Sequence, residues 1–439
     1  MKLSKHLAAL EAKSEAKAFR RFASDEDSNE EIWDPETGEV MPALRDRPGS
    51  IEELRARMDG ILGPERRERK HVAIDPRYLD LPTLYDEDRQ LLHRSIVVPE
   101  WHPFFSLLHA ASNEMLSGVG LCDWTVAPDD VLFVDTETTG LAGGAGTVAF
   151  LVGLAFFENG KLTFEQWMLA DLGDEAALLD VVVERWNRAK GVCSFNGKAF
   201  DARVLQTRLV LHRKEPLTEK PHLDVLHVAR RIHRDRLQST KLQALEKVLL
   251  GLERGEDIPG AEIGAAYFHF LRTGATEAMR LVLKHNETDV LSLVALFALY
   301  GSLAEGDAEV LSGVLVASDH AAIGKTLQRA KRHEASLSFL TTAAEDDAVR
   351  DEALVLRSRA YKKLRMVREA MADLLQVSEA SPAGALALSK MYEHDFRDPK
   401  AALEVVERSR AETEEARSKR MDRLRHKIKN PRKTKPKVL

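Results

Sequence analysis

The sequence predicts an α/β domain with a mixed sheet and flanking helices, followed by an all-α helical domain. Three observations lead to that fold class. Between Pro128 and Leu303, apolar runs of strand length alternate with longer amphipathic stretches, the pattern of sheet and helix sharing one domain. The first three strand-like runs follow one another through short links, so part of the sheet must be antiparallel. Beyond Gly306 the composition turns to Ala, Leu, Arg and Glu at helical spacing.

Val131–Thr136 is the first strand, an apolar run ending in polar residues. Thr147–Phe157 and Lys161–Leu169 are the second and third, and Glu158-Asn-Gly160 between them carries the Asn-Gly signature of a tight hairpin. Asp174–Lys190 has the spacing of an amphipathic helix stopped by Gly191. Val192–Phe195 is a short buried strand, Ala202–His212 a helix, and Leu223–Val228 a fifth strand. Thr240-Lys-Leu-Gln243 has the form of a capping box for a helix ending at Gly251, and after Ile263–Arg272 a long helix starts near Thr276.

Five segments follow from the composition. Residues 1–70 are rich in charge and breakers and are expected to be loosely ordered, apart from a helix over Ile51–Ile61 opened by the capping box Ser50-Ile-Glu-Glu53. Residues 71–126 are more apolar and form an extension packed on the next domain, with the aromatics of Trp101-His-Pro-Phe-Phe105 in its core. Residues 127–303 are the α/β domain. Residues 307–412 carry a weak repeat, in which Tyr361, Ala370 and Pro382 match tetratricopeptide positions and Tyr392 and Ala401 reproduce the first two; it either fills a core or forms a groove for a protein partner. Residues 413–439 are a basic tail, disordered or a frayed helix, which either holds phosphates or only solubilises.

A chain of 439 residues with 44% hydrophobic side chains can bury real cores in more than one domain. Its two cysteines, Cys122 and Cys193, are too few for a disulfide framework or a zinc knuckle, which places it in a reducing cytoplasm and leaves oxygen as the source of metal ligands. No run has the form of a signal peptide or a membrane span. A net charge of −6 excludes a uniformly basic coat, so any nucleic-acid contact must be local.

The chemistry starts at Asp135-Thr-Glu137-Thr-Thr-Gly140. Residues two apart on a strand point the same way, so Asp135 and Glu137 share a face, and two such carboxylates repel unless a cation lies between them. Mg²⁺ is the simplest such ion. With 70 acids in the chain, about ten acid-x-acid triplets arise by chance, so the pair needs partners. Asp201, in Ser194-Phe-Asn-Gly-Lys-Ala-Phe-Asp201, falls near a helix N-terminus beside the central strands. His285 and Asp289, in His285-Asn-Glu-Thr-Asp289, share one helix face. Four carboxylates from separate segments with a histidine describe a two-metal site for phosphodiester hydrolysis, with histidine the residue type suited to take the proton from an attacking water.

In that order and spacing, DTETTG, NGKAFD and HNETD resemble the three motifs of the DEDD exonuclease superfamily, whose fold is RNase H-like. The chain is most similar to the YprB-like branch, whose glycine-rich continuation looks like Leu141-Ala-Gly-Gly-Ala-Gly146 and whose members often carry tetratricopeptide-like helices. The resemblance implies that Asp135, Glu137, Asp201 and Asp289 coordinate two Mg²⁺ or Mn²⁺ ions, with His285 as base. It also implies a 3′-to-5′ exonuclease acting on single-stranded DNA or RNA. In the histidine type of this superfamily the histidine precedes the last aspartate by five residues; here the interval is four, the spacing of the tyrosine type. His285 is then either the base or a hydrogen-bond partner of Asp289.

Thr138, Thr139 and Gly140 lie where a nucleotide would approach the backbone, though the glycines also suit a tight turn. Asn196 and Lys198 either touch phosphate or hold their turn. His222 and Asp224 are structural hydrogen-bonding residues by default. The basic stretch Arg230-Arg-Ile-His-Arg-Asp-Arg236 with Lys241 either lines a nucleic-acid groove or is a solvated face. The rival to an enzyme is a catalytically silent scaffold acting through its helical repeats, and an endonuclease could use the same acids.

Overall fold

The computed structural model describes residues 75–99, 104–140, 146–304, 311, 313–377, 381–409 and 414–430. The expected helix over Ile51–Ile61, the aromatics at 101–105 and the glycine-rich continuation over 141–145 lie outside the described residues or side chains.

Seven strands form one mixed sheet: β1 (Leu84–Asp86), β2 (Leu91–Val97), β3 (Val131–Thr138), β4 (Ala149–Glu158), β5 (Lys161–Met168), β6 (Gly191–Ser194) and β7 (His222–Asp224), in the order β1-β2-β5-β4-β3-β6-β7. The run from β1 to β3 is antiparallel, whereas β6 and β7 extend β3 in parallel. The β4–β5 hairpin turns on Asn159 (φ 51°) and Gly160 (φ 73°), both left-handed as a two-residue turn of this kind requires. The mixed α/β class is therefore observed, with two more strands than the sequence pattern showed. β1 and β2 come from the segment read as a packed extension; β2 pairs with β5 from Leu92↔Met168 to Val97↔Thr163. Its pattern is broken by His93, Arg94 and Ser95, which hid it.

The expected fifth strand needs correction. Only His222–Asp224 is strand, and helix α1 (Val225–His233) follows at once. The Asp224 carboxylate accepts the Leu226 N–H at 3.2 Å, an N-cap that turns Val225–Val228 into helix despite its two β-branched valines. Nor does Thr240 cap the next helix: Lys241 is its N-cap, and Leu242–Leu245 continues as a wide turn over Glu246–Leu250 to the left-handed Gly251.

Helices cover both faces of the sheet. On one face Val131 and Phe133 of β3 pack against helix α2 (Glu277–Gly301), with Phe133 edge-on to Phe297 at 5.2 Å. On the other, Leu132 and Val134 pack with Val204 and Leu205 of helix α3 (Asp201–Leu211) and with Leu178 and Val182 of the helix Glu175–Arg188. Alternation along β3 thus feeds two cores and brings its polar end out between two helices.

The chain then becomes all-helical, with α4 (Ala317–Arg329) and helices at His333–Ala343, Arg350–Lys363, Val367–Val377, Pro382–His394, Pro399–Arg408 and Glu414–Lys429, each packed on the next or near it. Tyr361, Tyr392 and Ala370 lie in one core with Leu354, Leu374 and Met391. Over its described part the basic segment is an ordered helix rather than a frayed one. Arg423 and Lys427 donate to Glu393 at 2.6 and 2.5 Å, and Leu424 is buried. Among the described residues no helix is long and apolar enough to cross a membrane.

Candidate functional site

Asp135 and Glu137 end β3 half-buried on the face toward α2, with the buried Thr136 and Thr138 alternating with them. α3 opens at Asp201, 7% exposed, whose carboxylate accepts the Thr136 hydroxyl hydrogen bond. Gly197 allows this approach, since a Cβ there would meet Ser194 and the Asp201 carboxylate at 2.7–2.8 Å. Asp289 and His285 look in from α2. Burial raises Asp135 well above the ordinary carboxyl value, reinforced by the charges of Asp289, Glu137 and Asp201. Burial and the charges of Asp289 and Asp201 push Glu137 to about 8, and burial pushes Asp201 to about 6 despite the Thr136 bond. Burial likewise raises Asp289, against the opposing charges of His285 and Arg254, so all four acids expected at the centre have raised carboxyls.

Several members of the site were missed by the sequence reading. Register across β2, β5, β4 and β3 aligns Arg94, Gln166, Gly153 and Asp135 in one row beneath α2. Asn286, fully buried, donates to the Asp135 carboxylate at 2.9 Å and accepts from the Gln166 amide at 3.0 Å, while Arg94 meets Glu287 at 3.0 Å. This row sets the rotation of α2 about its axis, and with it where Asp289 and His285 point. Gly153 is required because a Cβ there would overlap the Asn286 side-chain oxygen. Asn286 and Glu287 stand inside the motif HNETD, but Gly153 and Gln166 carry no local signature.

A second group surrounds His285. Its Nδ1 lies 2.7 Å from Asp257 and 3.3 Å from Arg254. Its Nε2 lies 3.7 Å from Asp289, beyond hydrogen-bond distance, so a simple His285–Asp289 hydrogen bond does not describe it. Arg254 grips the fully buried Glu246 through two hydrogen bonds of 2.5 and 2.6 Å and also pairs with Asp289.

The outlying candidates divide. Thr138 donates to the Gly140 carbonyl at 2.8 Å, and Thr139 accepts the Val148 N–H at 3.0 Å, so both hydroxyls brace the strand end. Asn196 is exposed with φ 64°, and its N–H and that of Lys198 donate to Asp224 at 2.9 and 3.3 Å. Both side chains stay free to face solvent while their backbone holds the turn. His222 meets the Ser194 hydroxyl at 2.7 Å, so it and Asp224 are structural.

Among the described residues, no group of three or more His, Cys, Asp or Glu is arranged to hold an ion as it stands. Arg254 holds Asp289 and Thr136 holds Asp201. The donor set nonetheless suits a hard divalent cation in its chemistry, being all carboxylate oxygen and charged beyond what Arg254 balances.

Comparison with known proteins agrees with this architecture. Residues 132–300 match the family RNase_H_2 of the RNase_H superfamily, from the first residues of β3 to the end of α2. A Bacillus subtilis (strain 168) protein described as "Uncharacterized protein YprB" is 32% identical over 292 residues, 64% of this chain and 69% of that protein. The chain belongs to the YprB family. Its RNase H-like domain, of a nuclease type, is the part that brings the four acids together, and the family match spans all five central residues.

Proposed function

We propose that this YprB-family chain is a metal-dependent 3′-to-5′ exonuclease of the DEDD type that hydrolyses single-stranded DNA or RNA. The convergence of Asp135, Glu137, Asp201 and Asp289 at the end of β3, each with its carboxyl raised, carries the reading. These four would hold two Mg²⁺ or Mn²⁺ ions. When bound, such ions stabilise charge on the phosphate and leaving oxygen and acidify water. The direction of cutting rests on the family resemblance.

The remaining work falls to neighbouring side chains. The shorter of the two His285 Nδ1 contacts is to Asp257, which makes Nδ1 the proton-bearing nitrogen and leaves Nε2 basic on the Asp289 side. Asp257 thus orients the imidazole as a buried carboxylate orients a catalytic histidine, and Nε2 accepts the proton of the attacking water. The row through Asn286 and Gln166 holds Asp135 in place.

The test is incubation of the full chain with 3′- and 5′-labelled oligonucleotides of both sugars in Mg²⁺, Mn²⁺ or EDTA. Expected is metal-dependent shortening from the 3′ end, slowed by about 10²-fold or more in His285→Ala. Internal cuts would make it an endonuclease, and no cleavage with either metal would favour the silent scaffold. Gly153→Ala is expected to displace Asn286 and weaken divalent-ion binding by about 10–100-fold. Isothermal titration with Mn²⁺ reads this, and an unchanged affinity would remove the Asn286 contact from the site's assembly.

A further inference from the structure

We propose that the groove between α1 and α4 is a track for the phosphate backbone of single-stranded nucleic acid, holding the strand beyond the catalytic cleft. The substrate it serves rests on the nuclease reading above. The groove is a cavity of about 890 Å³ between α1 of the sheet domain and α4 of the all-helical region. Its lining includes Arg230, Arg231, Arg234, Lys325 and Arg329, against Asp235 and Glu352.

A solvated helix face would pair or disperse such charges. Here two of the five are already used: Arg231 donates to the Val119 and Gly120 carbonyls, and Lys325 pairs with Glu352 at 3.0 Å. Arg230, Arg234 and Arg329 are exposed, and among the described residues none of them pairs with a carboxylate. Three unbalanced guanidinium groups from helices about a hundred residues apart in sequence share one concavity, where a low-dielectric wall focuses their field. The walls are fixed, because His233 of α1 and Asp319 of α4, both fully buried, meet at 2.9 Å. A preformed concave cationic site calls for an anion.

Two features select a nucleic-acid strand. The cavity is far larger than a single phosphate, and no Phe, Tyr or Trp is among its lining residues, His227 being the one ring there, so it fits a backbone rather than a run of stacked bases. It is also tied to the acids through Asp224. Asp224, which receives the N–H groups of Asn196 and Lys198 beside Asp201, caps the helix that bears Arg230 and ends at Arg234. Arg230 lies six residues on, roughly 9 Å of helix rise. A strand leaving the cleft past Lys198 reaches the groove along α1.

The test is fluorescence anisotropy with the full chain in EDTA, using labelled oligothymidylates of about 5 and about 20 nucleotides. The triple variant Arg230→Gln, Arg234→Gln, Arg329→Gln is compared with a charge-matched control on other surfaces, Lys161→Gln, Lys363→Gln, Lys400→Gln. The long oligonucleotide is expected to bind the groove variant about tenfold more weakly at low salt. The slope of log affinity against log salt should fall by about two, the share of three phosphate contacts on a single strand. Binding of the short oligonucleotide and its cleavage in Mn²⁺ should match the parent. Equal losses in both triple variants, or unchanged binding of the long oligonucleotide, would overturn the proposal, as would displacement by polyglutamate of the same charge at the same concentration. A parent that binds through the groove but cuts nothing would retain the track and refute the nuclease reading; one that cuts while both variants bind alike would do the reverse.

Discussion

Asp201→Asn is expected to abolish hydrolysis, by about 10³-fold or more, while leaving the metal-free protein at least as stable as the parent. The first half follows from position: Asp201 is one of four oxygen donors, and losing the charge stabilisation that bound cations supply at the phosphate costs several kcal/mol, or about tenfold in rate per 1.4 kcal/mol. The second half follows from the raised carboxyls. Glu137 is pushed to about 8 and Asp201 to about 6, against ordinary values of 4.5 and 3.8. A carboxyl whose folded value lies above its unfolded one binds more protons when folded, so in EDTA the parent should lose stability as pH rises from about 4 to 8. Asparagine keeps the shape and can still accept from the Thr136 hydroxyl, but it removes one of the repelling charges. Thermal melts in EDTA and in Mn²⁺ check this. The parent should gain stability with the cation and with falling pH, and the variant should show both effects weakened. A variant that loses activity but still gains as much stability from Mn²⁺ as the parent would remove Asp201 from the ion site.

How much of this could be read beforehand depended on how local each constraint was. Asp135 and Glu137 were legible because strand periodicity puts i and i+2 on one face, and the four-residue interval of His285 and Asp289 because a helix repeats near that spacing. The Asn159-Gly160 turn was legible for the same reason. Strand β2 was not, since His93, Arg94 and Ser95 break its apolar pattern; it is a strand because β5 pairs with it over six residues. The helix at Val225 was misjudged because its β-branched residues favour strand in isolation, whereas the Asp224 cap decides the matter locally. Gly153, Gln166 and Arg94 were invisible for a different reason. Their roles come from cross-strand register, and Arg254 and Asp257 reach His285 from the loop after the wide turn, some thirty residues earlier. The resemblance supplied the acids; the groups that orient them are tertiary.

Asp319→Ala is expected to destabilise the protein by about 3–5 kcal/mol, a large share of the roughly 5–15 kcal/mol that holds a typical protein folded. Asp319 is wholly buried and accepts from Arg236 at 2.5 Å and from the Val316 N–H at 3.2 Å, besides its contact with His233. Removing it strands a buried imidazole and a largely buried guanidinium and uncaps α4 at once. Burial works against the ionised carboxyl, but the hydrogen bond and charge of His233 and the bond from Arg236 outweigh it and hold Asp319 below its ordinary 3.8. Because the folded value is the lower one, the stabilisation is complete above the unfolded carboxyl range and is lost as pH falls through the folded value. Urea titration at neutral and acidic pH reads both effects, with the parent approaching the variant as the solution is acidified. Replacing His233 and Asp319 together by leucine should recover much of the loss, since an apolar pair needs no partner. An Asp319→Ala loss below about 1 kcal/mol would mean that α1 and α4 are held by apolar packing alone, and the groove between them would then lack the rigid frame on which its phosphate-binding role depends.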